Sequence, residues 1–77
     1  MTKLKKMRES RGLSQSQLAE KANVNVRMLQ YYEQGVSNFD GCKINKIFRI
    51  ALALDCDIED IIEDENTVKL IREYQDA

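Results

Sequence analysis

The stretch "SQSQLAEKANVNVRMLQYYEQG", residues 14–35, decides the fold. It reads as two short helices joined by a three-residue corner, Asn23-Val24-Asn25. Ser14 and Gln17 fit a capping box, in which the hydroxyl and the Gln side chain each satisfy a free backbone N–H. Leu18, Ala19 and Ala22 form the inner face, and the two alanines let a neighbouring helix come close. Asn23 tolerates the left-handed conformation that ends a helix. Val24 is an apolar plug, and Asn25 is a good N-cap for the restart.

The second helix covers about residues 25–34. At 100° per residue, Met28, Leu29 and Tyr32 cluster within about 100° of arc and form the face expected to be buried. Val26, Arg27, Gln30 and Tyr31 take the opposite side. That outward set holds a cation, an amide, a phenol and an aliphatic, and no acid. It suits the edges of base pairs: Arg reads guanine, Gln reads adenine, and an apolar group meets a thymine methyl.

Working outward, residues 2–11 place Leu4, Met7, Arg8 and Arg11 on one helical face. Arg8 then stands in an apolar stripe, where an unpaired charge is costly. Glu33, close to the buried arc of the second helix, is its expected partner. Gly12 and Gly35 end their helices. Residues 36–42 are a loop. Residues 43–54 form a strongly apolar helix (Ile44, Ile47, Phe48, Ile50, Ala51, Leu54), the expected centre of the core. Asp57 caps a short helix over 58–63 with Ile58, Ile61 and Ile62 inward. Asn66 or Thr67 caps a last helix to Tyr74. Its apolar set Val68, Leu70, Ile71 and Tyr74 either closes the core or forms a dimer face.

With 77 residues there is room for one domain and one small core. Proline is absent and there are only three glycines, which favours helices over a sheet rich in turns. No stretch resembles a signal peptide and none is apolar enough to span a bilayer, so a cytoplasmic location is expected. Cys42 and Cys56 are expected to be free thiols. Residues 1–49 carry ten Lys or Arg against four acids, and residues 50–77 carry two against nine. That split suggests one face meant for a polyanion and another turned away from it. Lys5, Lys6, Lys43 and Lys46 read as solvated charges or, for some of them, phosphate contacts.

Catalysis is disfavoured. The chain has no histidine, no nucleophile elbow and no Gly-rich phosphate loop. Asp55, Asp57 and Glu59 have the first spacings of a calcium loop. Asp60 then stands where glycine is needed, and Asn66 where glutamate is needed. No cofactor, metal or small-molecule substrate is expected.

"LSQSQLAEKANVNVRMLQYYEQG" resembles the helix-turn-helix of the Cro/C1-type phage repressors and bacterial regulators, and "IALALDCDIEDII" resembles the family's closing "IAxALGVSxDEL". The likeness covers residues 4–62. It implies an all-α, lambda-repressor-like domain of five or six helices over residues 1–65. Residues 66–77 would then be a helical extension and a possible dimer contact. It further implies sequence-specific binding of double-stranded DNA by a repressor-like regulator, with the helix about 25–34 in the major groove. Ser14 and Gln15 would meet phosphates. Asn25, Val26, Arg27, Gln30 and Tyr31 would read bases or adjacent backbone. Asn38 and Lys43, in the loop 37–43, would contact phosphates. An Arg8–Glu33 pair is also a feature of the family. The chain departs from the pattern at Asn23, where glycine is usual, and at Val26 and Tyr31, where polar residues are common. Its loop is longer than in compact members. These departures, with the acidic pI of 5.4, motivate a second reading: a protein-interaction module on the same fold, such as an antitoxin or phage accessory protein.

Overall fold

Helix endings set the architecture. In the computed structural model, which describes residues 2–76, five α-helices run in order. They are α1 (Lys3–Ser10), α2 (Gln15–Ala22), α3 (Val26–Gln34), α4 (Ile44–Leu54) and α5 (Glu65–Asp76). A single 3-10 turn, Ile58–Asp60, separates α4 from α5. After each of α1 to α4 comes one residue with positive φ: Gly12, Asn23, Gly35 and Asp55. The next residue donates its N–H five positions back: Leu13 to Arg8, Val24 to Ala19, Val36 to Tyr31, and Cys56 to Ala51. This is the left-handed stop that satisfies the free carbonyls of a helix end.

The starts are as specific. Thr2 accepts from the Lys5 N–H ahead of α1. Ser14 and Gln17 form the reciprocal pair expected of them, at 3.1 and 2.8 Å. Asn25 Oδ1 accepts from the N–H groups of Arg27 and Met28 at 2.8 and 3.2 Å. Asn23 has φ 55 and ψ 50, so the corner is the sharp one the sequence predicts.

The second helix of the motif and α4 both pack on α2, where Ala19 and Ala22 are buried. Leu4, Leu18, Leu29, Ile50, Leu54, Ile61 and Ile62 close the core with almost no exposure. Each such side chain contributes about 1.5–3 kcal/mol relative to leaving it in water. Arg11 ties the end of α1 to the end of α4. Its Nε donates to the Leu54 carbonyl at 2.7 Å and its Nη2 to the Asp55 carbonyl at 2.9 Å.

Three expectations need correction. First, α4 does not bury its whole apolar run: Ile47, Ile50, Ala51 and Leu54 face inward, while Ile44 and Phe48 are exposed. A helix apolar on two faces can turn only one toward a core this small. Second, the helix over 58–63 contracts to one 3-10 turn. Ile61, at φ −120, ends the turn, and Ile61 and Ile62 are both buried in the core. Third, the last helix begins at Glu65, two or three residues earlier than a cap at Asn66 or Thr67 would allow. Asp64 holds its start. Thr67 Oγ1 donates to Asp64 Oδ2 at 2.7 Å, and this bond holds the Asp64 carboxyl below its ordinary value. Of the terminal apolar set, Val68 is buried and Ile71 half-buried, while Leu70 and Tyr74 stand in solvent.

Candidate nucleic-acid interface

The outward face of α3 is open. Val26 and Tyr31 are each 37% exposed, whereas Leu29 and Tyr32 on the opposite side are buried. Arg27 is exposed and Gln30 half-buried. No acid joins them, because Glu33 is turned inward and is 4% exposed. Its carboxylate is gripped by Arg8, with Nε at 2.7 Å from Oε2 and Nη2 at 3.1 Å from Oε1. Arg8 Nη1 also donates to the Leu13 carbonyl at 2.7 Å. The hydrogen bond to Glu33 raises the Arg8 pKa further above its already high value. The pair fixes the rotation of α3 about its axis, and so determines which side chains face out.

Gln15 extends this network. Its Nε2 donates to Glu33 Oε1 at 3.1 Å, and its Oε1 accepts from Gln30 Nε2 at 3.3 Å. The structure therefore joins two predicted site residues directly, one at the start of α2 and one on α3. It also changes one detail. The Gln15 amide is engaged inside the protein through its oxygen and one of its two Nε2 protons, because α2 and α3 approach closely enough for the amide to find protein partners. The Ser14 N–H is occupied by Gln17 Oε1, as the capping box expects. The open donors at this end are the Ser14 hydroxyl proton and the N–H groups of Gln15 and Ser16, for which no acceptor occurs among the described residues. Ser16 is the residue the sequence reading missed. The signal was available, since a capping box satisfies the N-cap and third N–H groups and leaves the first two.

Asn25 keeps only its Nδ2 for a ligand, because its Oδ1 caps α3. Asn38 and Lys43 are exposed in the loop between α3 and α4. The loop is held from both sides. The N–H groups of Val36 and Ser37 donate to the Tyr31 carbonyl at 3.0 and 3.3 Å. Phe39 packs edge-on against Tyr32, ring centroids 5.4 Å apart. The loop's one acid, Asp40, points away to α5, its two oxygens accepting from the N–H groups of Glu63 and Asp64 at 3.1 and 2.9 Å.

The charge split reads differently in three dimensions. Lys3 reaches Glu65 at 3.8 Å and its N–H donates to Glu63, while Lys6 shares a cleft with Glu59, Asp60 and Arg72. Part of the N-terminal excess is thus balanced within the molecule, and the cations beside α3 are few. Both thiols are half-buried and free, and burial pushes their pKa values up, to about 11 for Cys56. They remain protonated at neutral pH. Among the described residues no cluster of ligating side chains could hold a metal, and no helix is long and apolar enough to cross a membrane.

A family model described as helix-turn-helix, of the Cro/C1 type that the sequence resembles, matches residues 4–61. The chain belongs to this family. It is a DNA-binding family rather than an enzyme family, and its lambda-repressor-like, all-α fold is the one described above. No curated protein and no solved structure gives a significant match.

Proposed function

We propose that this helix-turn-helix protein binds duplex DNA sequence-specifically and acts as a repressor-like transcriptional regulator. The observation that carries the reading is the uncovered, acid-free outer face of α3, locked in rotation by the buried Arg8–Glu33 pair. Val26, Arg27, Gln30 and Tyr31 meet base edges in the major groove. Phosphates are met by the Ser14 hydroxyl, the Gln15 and Ser16 N–H groups at the positive end of α2, Asn25 Nδ2, Asn38 and Lys43. Residues 66–77 extend the DNA-binding unit of residues 1–65 and serve partner contacts.

The test is selection of duplexes from a random pool, followed by titration of the selected site. Arg27→Ala costs about 1–3 kcal/mol of affinity and relaxes preference at the base it reads. An unchanged affinity for the preferred site overturns the groove assignment. The exposed Val26 and Tyr31 side chains favour one second reading, an interaction module on the same fold. Salt separates the two, because neutralising phosphates makes affinity fall steeply with ionic strength, whereas a protein partner held by apolar side chains does not.

A further inference from the structure

Four side chains form one hydrogen-bonded row that ends on the outward face of α3. Arg8 Nε and Nη2 donate to the two oxygens of Glu33 at 2.7 and 3.1 Å. Gln15 Nε2 donates to Glu33 Oε1 at 3.1 Å, and Gln30 Nε2 donates to Gln15 Oε1 at 3.3 Å. Arg8 and Glu33 are buried, Gln15 and Gln30 half-buried. At the outer end, Gln30 Oε1 has no partner among the described residues and stays within reach of solvent.

The row has a direction, and charge sets it. The oxygen and nitrogen of an amide side chain are nearly alike in shape, so packing alone does not decide which way the amide faces. Here the root of the row decides. Both Glu33 oxygens already accept from Arg8, so the carboxylate offers Gln15 only an acceptor, and Gln15 turns its nitrogen toward it. The Gln15 oxygen then faces α3, where it needs a donor. Gln30 supplies its nitrogen, and its own oxygen is left as the outer acceptor. Turning the Gln15 amide around would set its oxygen against a buried carboxylate, and a shielded mismatch of that kind costs more than one hydrogen bond contributes.

Gln30 therefore meets a major groove with a fixed polarity. An outer oxygen accepts from an exocyclic amine, which adenine presents at N6 and cytosine at N4, whereas guanine O6 and thymine O4 set an acceptor against it. The second Nε2 proton of Gln30 is free for adenine N7, so adenine gains two bonds and cytosine one. We propose that the buried Arg8–Glu33 pair, acting through Gln15, orients Gln30 to select an amine-bearing base, adenine above cytosine. The Gln15 side chain is thus a positioning group for base choice rather than a phosphate contact. The inference rests on the groove assignment of α3 made above.

Selection of duplexes from a random pool by the full chain and its variants tests it. In the unaltered protein one position of the selected site favours adenine over guanine and thymine by about tenfold or more. Gln30→Ala flattens that position alone. Gln15→Ala flattens the same position to the same degree, and adds nothing in the Gln30→Ala background. Gln15→Lys inverts it. The ammonium pairs with Glu33 and donates to Gln30 Oε1, the amide turns its nitrogen outward, and the preferred base becomes guanine or thymine. Thermal melting followed by circular dichroism keeps loss of fold separate from loss of preference. A Gln15→Ala protein that weakens on every duplex alike and keeps its base preference overturns the proposal, as does an adenine preference that survives Gln15→Lys. Should no duplex be enriched at all, the DNA reading falls and takes this inference with it. Should a duplex be enriched with no base that depends on Gln30, the orienting row alone is overturned.

Discussion

At the scale of single residues, Glu33 bears the most. It receives two bonds from Arg8 and one from Gln15, all from groups packed behind the outward face of α3. Removing one member of a buried pair leaves the other charge unpaired, at a cost of about 3–5 kcal/mol. A domain of this length has only ~4–12 kcal/mol of stability in total. Glu33→Ala is therefore expected to unfold far earlier in urea, whereas Arg8→Met with Glu33→Leu recovers most of the loss. A double variant no more stable than Glu33→Ala would show that the pair does more than neutralise charge. Arg8 and Glu33 were legible in the sequence because a cation in an apolar stripe demands an acid. The engagement of Gln15 was not, since an amide at a helix start suits a phosphate as well as a neighbour. Only the approach of α2 to α3 settles which one it meets.

At the scale of elements, the corner after α2 and the corner after α4 are the same device. Asn23-Val24-Asn25 and Asp55-Cys56-Asp57 each place a left-handed residue, a half-buried apolar residue and then an extended residue before the next helical turn. Neither uses glycine at the left-handed position, although φ is 55 and 53 there. Asn and Asp bear that conformation with less strain than other side chains, so Asn23→Gly and Asp55→Gly change stability by no more than about 0.5 kcal/mol. Alanine at either position costs about 1 kcal/mol, a fall of about 4–8 °C in melting temperature. Equal melting of the alanine and glycine variants would mean the corner relaxes out of the left-handed region. The first corner was readable because caps flank it on both sides. The second was partly readable: Asp57 marked the restart, but not that it lasts one turn. How soon the turn stops before the buried Ile61 and Ile62 belongs to packing. The two apolar faces of α4 were ambiguous for the same reason, since periodicity reports apolar positions and not which of them finds a neighbour.

At the scale of the molecule, the charge split illustrates what a linear count misses. Lys3 and Arg11 meet the C-terminal half directly, through Glu63, Glu65 and the end of α4. The overall helix-turn-helix arrangement was nonetheless plain, because Gly12, Asn23 and Gly35 stop their helices and Ser14 and Asn25 restart them. Asp40 gives this whole-molecule organisation a dynamic consequence. One carboxylate in the loop receives both backbone donors at the entry to α5. The loop and the C-terminal helix should therefore exchange their amide hydrogens as a joint unit, opening in a single event rather than fraying separately. In Asp40→Ala the Glu63 and Asp64 amides would exchange at the rate of open chain while those of α2 keep their protection. Unaltered exchange at those two amides would leave the loop and the helix as independent segments that merely lie side by side.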